Sequence, residues 1–267
     1  MAQTVLLLVL LLFGCSSFPR LHTLKINQRP IIGILAQETF DAGLLRYGKT
    51  YIAAPYVKYL ESAGCRVVPV RLNLTNDEYE KIFYSINGII FPGGSSDLKT
   101  SAFAKAAKKF YELALKAFDA GDYFPIWGTC LGLQLLSVLT AGKNLLTNTD
   151  SENIALALNL TNAAASSKMF QKFPPDVYQA LCNEPLTGNF HSFSISVKAF
   201  LEDEKLSKFY SILSTNNDRK GVEFVSTMEA RKNFHHFKSL AEEEATLIYN
   251  YSPRYVPTSS YIQVYFF

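Results

Sequence analysis

The sequence is poor in the residues that most often carry metal binding and nucleic-acid recognition. Its 267 residues include four cysteines, four histidines and one tryptophan, Trp127. No run of these residues has metal-ligand spacing, so no metal site is predicted. Lys and Arg number 26 against 23 Asp and Glu, for a formal net charge of +3. The cations are scattered rather than gathered in a stripe, so nucleic acid is not an expected partner.

Long apolar runs are equally scarce. The one strongly apolar stretch, residues 5–13, is too short to span a bilayer and has the length of a signal-peptide core. Small residues at 14–17 offer a cleavage site. We therefore predict a signal peptide over residues 1–17 and a secreted protein without a membrane span.

Three glycosylation sequons agree with secretion. They begin at Asn73, Asn159 and Asn250. Pro253 follows the third sequon and makes it a poorer acceptor. Asn73 and Asn159 are therefore the predicted glycosylation sites.

The cysteine count predicts an unpaired thiol. Removal of a signal peptide would take Cys15 and leave Cys65, Cys130 and Cys182. An odd number in a secreted protein leaves at least one thiol free, and Cys130 is the candidate. Cys65 and Cys182 either pair with each other or lie as small buried thiols.

Strand-like and helix-like segments alternate through the first half of the chain. Apolar strands are predicted at residues 29–38, 65–72, 88–94 and 123–130, and helices at 48–64, 76–86, 101–120 and 131–140. Strict alternation indicates an α/β fold, a three-layer sandwich whose mostly parallel central sheet is covered by helices on both faces. We assign residues 29–267 to one domain.

The second half of the chain has a different pattern. Strands are predicted at residues 191–197, 209–215 and 221–228. The turn-forming residues 216–218 lie between the last two, which we expect to form a hairpin.

The segment Gly128-Thr129-Cys130-Leu131-Gly132 joins a predicted strand to a predicted helix. A sharp strand-to-helix turn lifts its central side chain out of the sheet, so Cys130 is a candidate nucleophile. The start of the helix favours a thiolate. The Leu131 N–H and the Gly93-Gly94 turn on the neighbouring strand could stabilise an oxyanion. The alternative is a buried structural cysteine with glycine neighbours.

These motifs resemble those of a known family. Residues 128–134 are similar to the nucleophile motif of class I glutamine amidotransferases, and Phe91-Pro92-Gly93-Gly94 resembles their oxyanion turn. Residues 51–70 and the segment DYFPIWGTCLG look more specifically like the gamma-glutamyl hydrolase family. Those secreted and lysosomal enzymes trim poly-gamma-glutamate tails from folates. The likeness covers residues 29–230 and resumes in the carboxyl-terminal tail.

The resemblance implies a class I glutamine amidotransferase-like fold and a thiol hydrolase of folylpoly-gamma-glutamates. Thiolate attack would give a gamma-glutamyl thioester that water hydrolyses, without a cofactor or metal. The resemblance also implies a homodimer and a secreted or lysosomal location. It leaves open whether cleavage is of the endo or the exo type.

Several further residues take a role from the resemblance. His191 matches a position beside the active site and is expected to bind or support the substrate. Glu38, Arg46 and Tyr51 follow the first strand and are expected to contact the substrate at the rim; ordinary polarity at a helix start is the alternative. Gln134 is expected to support the turn at Cys130.

The catalytic histidine of the family has no counterpart here. The family carries it in a Trp-His-Pro-Glu motif, which this sequence lacks. The resemblance implies that a strand, this motif and a following helix have been cut out between Ala230 and Arg231, by a variant transcript or by an error of sequence assembly. His22 lies near the amino terminus, and His235 and His236 belong to the tail. We therefore expect little hydrolase activity and reduced stability.

Two other functions remain open. The chain could be a non-catalytic protein that binds gamma-glutamyl ligands or regulates the intact enzyme, as the absent histidine suggests. It could also be a glutaminase domain that feeds ammonia to a synthetase, although the signal peptide and the lack of a synthetase region disfavour this.

Overall fold

The computed structural model describes residues 27, 29–229, 239–256 and 263–267. The strands are β1 Ile31–Leu35, β2 Gln37–Glu38, β3 Thr50–Ala53, β4 Arg66–Val70, β5 Ile89–Phe91, β6 Ile126–Gly128, β7 Leu146–Leu156, β8 Asn159–Leu160, β9 Thr187–Ile195, β10 Ile212–Asn217, β11 Glu223–Met228, β12 Arg254–Tyr255 and β13 Gln263–Phe266. The helices are α1 Ala42–Leu45, α2 Ala54–Ser62, α3 Asn76–Phe83, α4 Ala102–Asp119, α5 Leu131–Ala141, α6 Pro175–Asn183, α7 Val197–Glu202, α8 Glu204–Phe209 and α9 Leu240–Thr246. A 3₁₀ turn spans Ile248–Asn250.

The predicted α/β fold is confirmed. Strands β4, β1, β5 and β6 lie in that order in one sheet, and every pair in it is parallel. Helices connect these strands, as parallel pairing requires. The predicted signal peptide and the 230/231 junction lie outside the described residues. Among the described residues, no helix is long and apolar enough to cross a membrane.

Local sequence explains why the helices begin where they do. Thr75 and Glu78 form a capping box at the start of α3, each accepting a hydrogen bond from the other's backbone N–H. Ser101 caps the long helix α4 through the Ala104 N–H. These hydroxyls satisfy N–H groups that a helix start would otherwise leave unpaired.

Helices cover both faces of the central sheet, but to different extents. On one face Phe91 meets Phe103 of α4 edge-on, and Phe83 of α3 stacks on Phe124. Because strand side chains alternate, Ile90 and its register partner Trp127 point to the opposite face, where α2 packs. Trp127 on that face is 42% exposed. The sheet is therefore sealed on one side and partly open at β6 on the other.

A second sheet corrects the predicted helix over residues 48–64. The first part of this predicted helix is instead strand β3. It pairs antiparallel with β2 and with the carboxyl-terminal strand β13. Only Ala54–Ser62 is helical. Pairing with a strand more than two hundred residues away outweighs the local helical pattern, which cannot reveal such a partner.

The second half contains the predicted hairpin and two further differences. β10 and β11 pair antiparallel, which confirms the hairpin, and β8 joins β10 on its other edge. The strand predicted over residues 191–197 is the longer β9, and Ser196 caps a helix that starts at Val197. Phe209 ends helix α8 rather than beginning a strand.

Candidate active site

Cys130 sits at the junction of β6 and α5, at the carboxyl end of the parallel sheet. It is the residue before the first turn of α5 and has φ 52° and ψ −112°. A positive φ is a strained backbone conformation for any residue other than glycine. It persists only where the surrounding structure holds the residue in place. The turn thus presents the thiol at the sheet edge, as the sequence predicts for a nucleophile.

The flanking glycines are required by close packing. A Cβ atom on Gly132 would lie 1.9 Å from the Phe91 carbonyl oxygen, and one on Gly128 would lie 2.6 Å from the Gly132 backbone. Real Cβ atoms do not approach other atoms this closely. The first turn of α5 therefore rests directly on β5 and β6, which fixes Cys130 beside the loop that follows β5.

Two backbone donors face the thiol. The backbone N–H groups of Leu131 and Gly94 lie near enough to the Cys130 sulfur to lower the pKa of the thiol. The Gly93 N–H donates instead to the Tyr56 hydroxyl oxygen, over 2.8 Å. The three residues predicted to stabilise an oxyanion, Gly93, Gly94 and Leu131, thus lie together around Cys130. The Tyr56 hydroxyl occupies the Gly93 N–H.

A buried glutamine braces the loop that carries Gly94. Gln37 donates through Nε2 to the Pro92 carbonyl oxygen at 3.3 Å and accepts from the Ser96 hydroxyl at 3.1 Å. A Cβ on Gly94 would lie 2.5 Å from Gln37 Oε1. Gln37 therefore holds the loop in place. A glycine at position 94 lets the loop backbone lie close to the Gln37 side chain.

Burial raises the pKa of the Cys130 thiol above its usual range. The Leu131 N–H lowers this pKa, the Glu152 carboxylate raises it, and the Gly94 N–H lowers it by the smallest amount; burial has the largest effect. The sequence predicts that the helix start favours the thiolate; here burial outweighs the helix start. The thiol is consequently held protonated at neutral pH.

Cys130 lines a large cavity, about 1290 Å³ in volume. Its walls come from the carboxyl end of the sheet, from α2 and α5, and from β9 and β11. His191, Glu38 and Tyr51 line the same cavity. Among the described residues, no group of three or more His, Cys, Asp or Glu could hold a metal ion.

His191 lies on β9, with both ring nitrogens engaged by neighbours. Nδ1 lies 2.9 Å from the Ser151 hydroxyl and 3.0 Å from the Ser194 hydroxyl, and Nε2 lies 3.2 Å from Asn189 Oδ1. An amide oxygen only accepts, so Nε2 carries the proton and Nδ1 accepts. Burial lowers the pKa of His191, and the Glu152 carboxylate raises it by less. His191 is therefore a neutral imidazole fixed within its own sheet.

The other predicted substrate contacts are placed differently. Glu38 Oε1 accepts from the Ala102 N–H at the start of α4, and its Oε2 is buried with no partner. Tyr51 is buried on β3. Arg46 is exposed, lies over the Tyr47 ring at 4.7 Å and does not line the cavity. Glu38 and Tyr51 thus share the cavity with Cys130, and Arg46 does not.

The remaining predicted residues are accounted for individually. Asn73 and Asn159 are exposed, and Asn159 Nδ2 donates to the Thr215 hydroxyl over 3.1 Å. Cys65 and Cys182, whose pairing the sequence leaves open, are free thiols. Gln134 Nε2 donates to the Phe193 carbonyl oxygen at 2.6 Å and so ties α5 to β9. His22, His235 and His236 lie outside the described residues.

Sequence reasoning missed three residues of this site. Tyr56 occupies the Gly93 donor, Gln37 holds the loop, and Glu152 acts electrostatically on both Cys130 and His191. Tyr56 sits on an ordinary helical stretch, and Glu152 lies on a strand that no pattern marks. Only Gln37 gave a signal, because it ends an apolar strand whose carboxyl end must face the crevice.

Comparisons with known proteins identify relatives over almost the whole chain. The Peptidase C26 family matches residues 30–235. Gamma-glutamyl hydrolase of Homo sapiens is 47% identical over 309 residues, covering 97% of this chain and 96% of that protein. Gamma-glutamyl hydrolase B of Dictyostelium discoideum is 41% identical over 208 residues, covering 77% of this chain and 60% of that protein.

A solved structure is also similar. The glutaminase domain of Trypanosoma brucei CTPS with bound acivicin has a TM-score of 0.47 and 16% identity, and the match covers 75% of this chain and 81% of that one. The human alignment is longer than the 267 residues of this chain. That relative therefore carries residues within the aligned span that this chain lacks.

The Gly132 contact predicts a steep loss of stability. Gly132→Ala should lower the free energy of unfolding by about 3 kcal/mol or more, the upper end for overpacking, because the new methyl group meets a backbone carbonyl. Gly64→Ala is the control: φ is +81° there and no atom lies within 4 Å. It should cost only the backbone term of about 1–2 kcal/mol. Equal urea unfolding midpoints for the two variants would contradict this contact.

The Glu152 carboxylate predicts a change in thiol reactivity. Glu152→Gln removes a charge that raises the pKa of Cys130, so this pKa should fall and more thiolate should exist at a given pH. Iodoacetamide should then alkylate Cys130 faster at pH 8, and the rate profile should shift to lower pH. Peptide mass spectrometry would measure this, with Cys65 and Cys182 as internal references. Glu204→Gln, at an exposed pair with Lys208, is the control. An unchanged Cys130 profile would show that Glu152 does not act on the thiol.

Proposed function

The chain belongs to the peptidase C26 family of gamma-glutamyl hydrolases, and from that premise we propose that it cleaves gamma-glutamyl bonds of folylpoly-gamma-glutamates at Cys130, with much reduced turnover. The observation that carries the proposal is the turn that presents Cys130 at the start of α5 and beside Gly93 of the loop after β5. When the thiolate attacks the gamma-carbonyl carbon, the developing oxyanion could be stabilised by the Leu131 and Gly94 N–H groups.

The reaction would run through a covalent intermediate. The Cys130 thiolate attacks the gamma-carbonyl carbon, the carbon–nitrogen bond breaks, and the amine leaves with a proton. Water then attacks the thioester, releasing the gamma-carboxylate and restoring the thiol. Tyr56 must leave the Gly93 N–H if that group is to join the oxyanion contacts, because its hydroxyl oxygen now accepts from it.

The reduced turnover follows from how protons are supplied. Cys130 is held protonated by burial and Glu152. His191 has its nitrogens engaged by Ser151, Ser194 and Asn189. The thiol proton and the proton of the leaving amine must then be exchanged with water. A positioned acid–base group is worth on the order of 10² to 10⁴ in rate.

These same observations favour a second candidate function. A protonated thiol and an engaged imidazole suit a protein that binds gamma-glutamyl ligands without turning them over, or that regulates an intact family member. Binding needs only the cavity and its donors, which are present, and not the proton transfers.

One experiment separates the two functions. The purified chain and the human relative are given pteroyl-poly-gamma-glutamate at mildly acidic pH, and products are identified by mass. We expect cleavage slower than that of the human enzyme by about 10²- to 10⁴-fold, abolished by Cys130→Ala. Equal rates would refute the impairment. No cleavage or acyl-enzyme from a folded chain, with a ligand-dependent rise in Tm, would establish the binding function instead.

We further propose that the chain is secreted or lysosomal, glycosylated and homodimeric. The apolar segment at residues 5–13 and the exposed Asn73 and Asn159 support the first two properties; family membership supports the third. We expect the secreted chain to begin after residue 17, to lose mass on enzymatic removal of N-glycans, and to have twice the monomer mass by light scattering. An intact amino terminus, an unchanged mass or a monomer would contradict the respective property.

A further inference from the structure

Two separate sheets present an edge strand to the same cavity. Strand β6 is the last strand of the parallel sheet, and β11 is the last strand of the three-stranded antiparallel sheet. Both strands line the cavity that holds Cys130. An edge strand carries a row of backbone N–H and C=O groups available for pairing with another strand.

The pairing of both strands is incomplete over the described residues. β6 pairs with β5 alone. On its side away from β10, β11 makes one isolated bridge, between Phe224 and Ser196. Residues 225–228, beyond that bridge, have no second strand partner in the described part of the chain. We call the space between Ile126–Gly128 and residues 225–228 the inter-sheet slot.

The slot has an apolar floor. Leu133 and Leu136 of α5 line the same cavity as the two strands. Leu133 packs against the buried cluster that contains Val225, while Leu136 belongs to the core of the parallel sheet. Helix α5 therefore lies under both sheets. Such a floor suits the apolar side chains of a strand laid across it.

The cavity is larger than a small ligand requires. Its volume of about 1290 Å³ exceeds the roughly 300–1,000 Å³ typical of small-molecule sites. Trp127 on β6 leaves 42% of its surface exposed there. A single gamma-glutamyl group beside Cys130 would leave most of this space and much of the indole uncovered.

The human relative carries residues that this chain lacks. The alignment with the human relative spans 309 residues, whereas this chain has 267. The difference is several times the length of a typical strand, which is about five or six residues. The chain leaves β11 through Glu229, which lines the cavity. The junction at which the sequence predicts a missing strand therefore follows directly from one wall of the slot.

We propose that the inter-sheet slot binds, in trans, the strand segment of a complete gamma-glutamyl hydrolase that this chain lacks. The segment would add to the edges of β6 and β11 by main-chain hydrogen bonds and bury its apolar side chains on Leu133 and Leu136. The two sheets would then continue into one. This inference depends on family membership and not on the proposed catalysis, and its test measures binding alone.

The single tryptophan provides the measurement. The probe is a synthetic peptide of those human residues that have no counterpart in this chain, with its own tryptophans replaced by phenylalanine. Because Trp127 lies on β6, we expect a saturable blue shift of its emission and a rise in Tm as the peptide binds. A scrambled peptide should give neither effect.

Two controls connect binding to the slot. Thr227→Lys places a charge on the β11 wall and should weaken binding by tenfold or more. Ser211→Lys adds the same charge at an exposed position outside the cavity and should leave binding unchanged. If Thr227→Lys fails to fold, a peptide with N-methylated backbone should lose binding to the unaltered chain.

Three outcomes would overturn the proposal. The first is no emission shift from a folded chain at high peptide concentration. The second is equal binding by the N-methylated peptide or by folded Thr227→Lys. The third is a concentration-dependent emission shift of the chain without peptide, because a second copy would then occupy the slot.

Discussion

The approach of Gly132 to the Phe91 carbonyl is the constraint on which the site depends. With a Cβ excluded at that position, α5 begins directly against β5, and Cys130 is forced into its positive-φ conformation. The same contact brings the thiol next to the loop after β5, whose Gly94 N–H it then meets. The position of the thiol and the backbone strain at Cys130 are thus consequences of one close contact rather than independent features.

The geometry at Cys130 and the electrostatics at Cys130 have opposite effects on the reactivity of the thiol. Geometry presents Cys130 to a substrate, whereas burial and Glu152 keep it protonated. An imidazolium beside the sulfur would reverse this balance, since a nearby positive charge lowers a thiol pKa. The described histidine, His191, is itself kept neutral by burial. The turn is therefore formed although the one histidine among the described residues is neutral, so the geometry of the site and the reactivity of the thiol have to be assessed separately.

Sequence patterns predicted those features that local rules determine. The parallel sheet follows from alternating strands and helices, and the Cys130 turn follows from its glycines. The β10–β11 hairpin follows from its turn residues. Long-range pairing could not be predicted in this way: Thr50–Ala53 reads as helix because its partner β13 is distant in sequence. Tyr56 and Glu152 were missed for the same reason, since only folding brings them to Cys130.

The distant pairing of β13 also orders the events of folding. Phe267 donates its N–H to the Thr50 carbonyl oxygen, and the Thr50 hydroxyl donates to the Phe267 carbonyl oxygen across 217 residues of sequence. β13 also flanks Tyr51 on the cavity wall. During synthesis the parallel sheet can assemble before residues 263–267 have been made, but this wall cannot form until they are present. A growing chain could thus have formed the turn at Cys130 while the cavity wall that contains Tyr51 still lacks its pairing with β13.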